Sequence, residues 1–236
     1  MKPAQAIKIV ALAFLLILAS GVSARESGSI DQISGDVTVT SPDKASRKAG
    51  PKEKIQSGDV ITTQAKSEVV IKMADDSVVA LRPNTQFRVA DFKFEEKPTD
   101  TAEFSLLKGV ARFLTGLIGS SRHDRVRITA ATATVGIRGT DFEVAVVAED
   151  TPDARAGVYN HVHDGATNIQ LASGPKLDVK KEETAFAPDK LKPGEEPLYL
   201  LDSTPLFLQQ GGGFDTLIQS LTQQPMNVIQ QMPMFR

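Results

Sequence analysis

From about residue 29 the apolar positions fall at every second residue. Ile33, Val37 and Val39 alternate with Ser34, Asp36, Thr38 and Thr40, the period of a strand with one buried face. Val60-Ile61-Thr62-Thr63, residues 68–73 (EVVIKM) and Val78-Val79-Ala80-Leu81 continue the pattern. Asp75-Asp76-Ser77 separates the last two runs and predicts a hairpin, since Asp tolerates the positive φ of a tight turn. Arg82-Pro83-Asn84-Thr85 predicts a second turn, leading into Phe87-Arg88-Val89 and Phe92-Lys93-Phe94. Strands this closely spaced predict a sandwich or a barrel. Between them, residues 41–56 carry Pro42, Gly50 and Pro51 beside Lys44, Arg47, Lys48, Lys52 and Lys54. That stretch reads as a solvated loop in preference to a basic docking patch, because charge runs usually face solvent.

Residues 103–118 fit two patterns. Phe104, Leu107, Val110, Leu114 and Leu117 have helical spacing, whereas Gly109 and Gly116 each cost a helix roughly 1 kcal/mol. Residues 126–147 and 158–187 are strand-rich without helix caps. After Pro188 the texture changes to prolines at 193, 197, 205, 225 and 233, the run Gly211-Gly212-Gly213 and Gln-rich pieces. The chain therefore divides into a β domain over 25–190 and a Pro/Gln-rich tail of low order over 191–236. In the tail, Phe214, Leu217, Ile218 and Leu221 predict one short amphipathic helix. Such a helix either docks a partner or packs on its own domain, and the second is favoured because helices this short are marginal alone.

The amino terminus has a different pattern. Lys2 and Lys8 precede eleven apolar residues at 9–19, then small residues up to Val22-Ser23-Ala24. This is the layout of a cleavable signal peptide over 1–24, cut after Ala24. The run is short of the roughly 20 residues that span a bilayer. No cysteine is available for lipid attachment, and no later apolar span follows. The expected product is periplasmic, with extracellular release as a further destination, and has no transmembrane span after cleavage.

Composition narrows the chemistry. Lys and Arg number 27 against 29 Asp and Glu, and the leader removes two of the lysines, which argues against nucleic-acid binding. The absence of cysteine excludes disulfides and thiolate metal sites. Trp is absent and Tyr occurs only at 159 and 199, so aromatic stacking platforms are not favoured. No Gly-x-Ser-x-Gly elbow or activated nucleophile is visible, so no enzyme, catalytic residue or cofactor is expected. His161 and His163 would share one strand face, but lack a third ligand at matching spacing and predict no metal site.

The most specific stretch is residues 129–142 (TAATATVGIRGTDF). Ala130, Ala131 and Ala133 leave room for a close strand, and Gly136 and Gly139 permit bends or bulges. Arg138 and Asp141 are expected to pair as a charge-assisted hydrogen bond pinning this corner, in preference to Arg138 meeting an anionic ligand.

This run, with Gly58, Asp59 and Thr62, Asp75 and Ser77, Pro83 and Asn84, Gly109, and Thr134, Gly136, Arg138, Gly139, Thr140, Asp141 and Phe142, resembles the FecR domain in order and spacing. The resemblance covers residues 29–190 in outline and is sharp between about 55 and 145. It implies an all-β, jelly-roll-like β-sandwich of short antiparallel strands, and resolves 103–118 as strands hinged near Gly109. One departure is Asp76, where the family usually has glycine. The family's namesake is a sigma-factor regulator with a cytoplasmic region and a membrane span. This sequence instead predicts a secreted, stand-alone domain without the anti-sigma region. The expected role is a periplasmic protein-interaction or signal-sensing module with an envelope protein as partner; the alternative is an envelope structural or cell-wall glycan-associated protein.

Overall fold

The structure, a computed structural model, describes residues 26–139 and 141–209. The leader at 1–24, Thr140 and the amphipathic segment at 214–221 lie outside the described residues. In chain order the strands are β1 (Glu26–Ser34), β2 (Val37–Thr40), β3 (Ser46–Lys48), β4 (Lys54–Gln56), β5 (Val60–Thr63), β6 (Glu68–Met73), β7 (Val78–Leu81), β8 (Gln86–Lys93) and β9 (Thr101–Leu114). A short helix α1 (Leu117–Ser121) and a 3-10 turn (His123–Arg125) follow. Then come β10 (Val126–Ala130), β11 (Ala133–Ile137), β12 (Asp141–Val147), β13 (Gly157–Asp164), β14 (Ala166–Leu171), β15 (Lys176–Lys180), β16 (Thr184–Pro188), β17 (Tyr199–Leu200) and helix α2 (Leu206–Gln209).

β9 belongs to two sheets. Its first half pairs with β8 and β10, its second half with β7 and β12. Sheet I runs β4-β1-β6-β7-β9-β12-β13-β16-β17. Sheet II runs β3-β2-β5-β8-β9-β10-β11-β14-β15. The strand changes sheets at Gly109, whose φ is +88°. An added Cβ there would stand 2.4 Å from Thr85 Oγ1 and 2.6 Å from Thr85 Cα, so both backbone freedom and space require glycine. Residues 103–114 are thus a strand hinged at Gly109, as the resemblance implied, while Leu117 and Ile118 open the short helix α1. Gly116 lies outside the helix and packs on the turn below β6, with a Cβ position 2.4 Å from Ser77 N.

The all-β sandwich agrees with expectation, with two differences in detail. β9 has 14 residues, and β9 with β10 is a parallel pair, made possible because α1 and the 3-10 turn carry the chain back to the start of β9. Ala131 admits no close strand, contrary to expectation: it sits at the exposed tip of the β10–β11 hairpin with φ +48°. The 41–56 stretch contains two short strands, and three of its five cations are paired: Arg47 with Glu53 and Asp59, Lys48 with Asp36, Lys54 with Glu26.

Inward residues of both sheets alternate with outward ones, and phenylalanines join the layers. Phe87 stacks on Phe104 at 5.5 Å, Phe104 meets Phe113 at 6.0 Å, and Phe113 stacks on Phe142 at 5.1 Å. Each such pair adds about 0.5–1.5 kcal/mol beyond the area it buries. Because Phe104 and Phe113 flank Gly109 on one strand, the bend itself sets one ring in each layer.

The tail expected from 191 is not separate over its first part. Residues 198–209 fold back over the outer face of sheet I: Leu201 N–H donates to Thr184 O at 2.8 Å, and Leu208, 2 % exposed, packs on Ala145, Tyr159 and Phe186. The β domain therefore extends at least to Gln209.

Gly109→Ala is expected to lower stability by about 3 kcal/mol or more, through backbone strain and the clash with Thr85. The readout is the urea midpoint at unchanged m-value.

Candidate functional site

The motif residues divide into those that build corners and those that face solvent. Gly58, with φ +92°, and Asp59 form the corner before β5. The Asp59 carboxylate, 1 % exposed, accepts from Gln56 N–H at 3.1 Å and Arg47 Nη2 at 3.3 Å. Asp75 is buried likewise: Oδ1 accepts from Ser77 N–H and Oγ, and Oδ2 from Ile118 N–H at 3.3 Å. Asp75 thereby ties the β6–β7 turn to the first turn of α1. Asp76, standing where the family has glycine, takes φ +64°, so the turn keeps a left-handed residue at that place. Pro83 and Asn84, the latter at φ +58°, make the turn into β8, and Asn84 N–H donates to Gln64 O. Phe142 is core. Thr62 is partly exposed within β5.

The expected Arg138–Asp141 pair does not form. Asp141 opens β12 opposite Leu114, which sets it diagonally beside Arg112 on the outer face of sheet I. Arg112 Nε and Nη2 grip its two oxygens at 2.7 Å each. Arg138 follows β11 of sheet II, is mostly exposed, and comes only within 3.7 Å of Asp178. The two residues belong to different layers, which no spacing along the chain reveals.

Two places collect chemistry. The first is the outer face of sheet I beneath the fold-back. Arg82 donates through Nη2 to Glu143 Oε1 at 2.7 Å and through Nη1 to Phe207 O at 2.8 Å. Glu143 is fully buried, and its Oε2 lies 3.5 Å from His163 Nε2. His161 meets Thr184 Oγ1 at 2.9 Å and the ring of His163 edge-on at 4.6 Å. Burial, and then the neighbouring His163, lower the pKa of His161 below the usual imidazole range. Among the described residues no group of three His, Asp or Glu side chains is placed to hold a metal ion. This row acts as a clasp for the carboxy-terminal segment. Sequence reasoning missed Arg82, Arg112 and Glu143; the available signal was a charge between Phe142 and Val144, in a strand otherwise apolar on both faces.

The second place is a shallow cleft of about 380 Å³ on the outer face of sheet II, lined by His123, Arg127, Thr134, Gly136, Arg138, Asn168 and Gln170 among others. Gly136 stands between Arg127 on β10 and Asn168 on β14, and Thr134 stands opposite Gln170. A Cβ at Gly136 would lie 2.9 Å from Asn168 Nδ2, so the glycine lets the Asn168 amide lie across the strand. Gly139, at φ +69°, closes the end near His123. The solvent-facing half of the 129–142 run therefore opens onto this cleft.

An all-β sandwich with this hinge and these corners defines the class. Residues 59–166 match the family described as FecR protein. Among solved structures, a candidate anti-sigma factor from Parabacteroides distasonis aligns in two crystal structures. The 1.65 Å structure shares 16 % identity over 64 % of this chain and 62 % of that chain, with TM-score 0.48. The 2.50 Å structure shares 14 % over 68 % and 71 %, with TM-score 0.49. A cell surface anchoring domain shares 24 % over 26 % of this chain and 82 % of that one, with TM-score 0.26. No curated protein matches the chain.

Asp141→Ala is expected to cost about 2–3 kcal/mol by removing the two charge-assisted bonds to the mostly buried Arg112, while Arg138→Ala stays within about 0.5 kcal/mol. Equilibrium denaturation of both variants tests the pairing directly.

Stability should also fall in acid at one identifiable place. Glu195 is held down to about 2, first by Arg155, then by the Lys192 N–H and the Tyr199 hydroxyl. A carboxylate lowered on folding contributes stability that is present above its ordinary value of 4.5 and is lost as pH drops toward 2. Glu195→Gln should flatten that part of the melting temperature–pH curve at constant ionic strength.

Proposed function

We propose that the protein is an exported, non-enzymatic FecR-like module that works by binding in the cell envelope, as an interaction or sensing domain. The observation that carries this reading is the split within the family signature. Its corner residues are consumed by the fold, whereas Thr134, Gly136 and Arg138 line an open cleft. Among the described residues no hydrogen bond engages the side chains of Arg127, Thr134, Asn168 or Gln170. Polar groups arranged around a glycine and left available to solvent suit recognition better than architecture. The leader, with Lys2 and Lys8 ahead of the apolar run at 9–19, supports export. The clasp on sheet I engages His161, Glu143 and Arg82 in holding residues 204–208, leaving no activated nucleophile among them.

Two readouts test the reading in a Gram-negative host. Osmotic shock should release a product whose first residue is Arg25 by mass spectrometry. A photoreactive residue at Gln170 should give a discrete crosslinked species that is lost in Arg127→Glu/Arg138→Glu. Retention in the cytoplasm with residues 1–24 intact, or crosslinking indifferent to the charge reversals, would refute it.

A further inference from the structure

The cleft's donors and acceptors define a ligand chemistry. Gly136 forms a notch flanked by the Arg127 guanidinium and the Asn168 amide, with Thr134 and Gln170 at one end and Arg138 at the other. The same outer face carries Glu103 beside Arg127, Asp178 beside Asn168, and Lys176 and Lys180 on β15. The cations outnumber the carboxylates. Of the latter, Asp178 faces Arg138, and Asp124, which also lines the cleft, is engaged by Arg122 and Arg125. The local field therefore favours an anion. A phosphate offers chiefly acceptors, so it would use the N–H and O–H donors of Asn168, Gln170 and Thr134 and leave the two amide oxygens unmatched. Hydroxyl groups both donate and accept, and match amides and a threonine hydroxyl one for one. A peptide docking by side-chain anchors needs apolar pockets; the apolar lining here is Val126 and Ile137, and Ile137 is 3 % exposed.

We propose that the Gly136 notch binds an acidic saccharide, with Arg127 taking the sugar carboxylate and Asn168, Thr134 and Gln170 reading its hydroxyls. This rests on the reading of the domain as a binding module and names the ligand class that reading leaves open. The glycine acts by absence: any side chain at 136 pushes aside the Asn168 amide. The site has no aromatic platform, so its affinity is ionic and falls with salt.

The test is calorimetric titration of the mature protein with short oligogalacturonate, its methyl-esterified form and inorganic phosphate. The acidic oligomer should bind, esterification should abolish the signal, and phosphate should compete only weakly. Arg127→Gln and Asn168→Ala should each weaken binding at least about tenfold. Gly136→Ser should do so as well, by displacing Asn168. Thermal melts confirm that each variant is folded, and Arg127, being exposed, should leave the melt unchanged. Equal affinity for phosphate would reduce the notch to a plain anion site and overturn the saccharide assignment. Undiminished binding in Arg127→Gln would overturn the location. A protein that still crosslinks through Gln170 to an envelope protein, yet binds no acidic saccharide, would sink this inference and leave the binding-module reading standing.

Discussion

The bend of β9 at Gly109 is the constraint on which the other features depend. One strand supplies the centre of both sheets, so the angle at a single glycine sets how the layers face each other. It places Phe104 and Phe113 on opposite walls of the core. It also brings Arg112 outward on sheet I, where Asp141 can reach it, and Glu103 outward on sheet II beside Arg127. A hydrophobic interior could be filled in many ways, but this crossing fixes one register for the strands on either side.

Much of this was legible in the sequence because strands bury alternate residues and turns demand particular backbones. Val37 and Val39, Ile61, and the 68–81 hairpin fall where their period puts them. Asp76 and Asn84 take the positive φ that their residue types tolerate. What local pattern could not supply was partnership. Arg138 and Asp141 are three apart yet lie in different layers, while Arg112 finds Asp141 across 29 residues. The parallel β9–β10 pair is equally invisible to periodicity, since it depends on the excursion through α1.

The outer face of sheet I was the larger omission. A two-sheet domain is expected to show polar residues outward, yet Tyr159, Phe186 and Ala145 are buried there because residues 199–208 return to cover them. Leu201, Phe207 and Leu208 sit among prolines with no helical or strand period, so the segment reads as tail. The candidate cleft was half visible: Gly136 and Arg138 stand in the signature run, whereas Arg127, Asn168 and Gln170 join them only through the β10–β11–β14 ladder.

The clasp on that face carries a timing. Arg82 reaches Phe207 across 125 positions of chain and Leu208 across 126, contacts of very long sequence separation that close slowly. Until residue 208 is available, Glu143 and Arg82 have no roof and the apolar strip beside them stays wet. A growing chain is thereby kept from finishing its fold early. Residues 207 and 208 thus seal a face to which Arg82 contributes from far earlier in the chain.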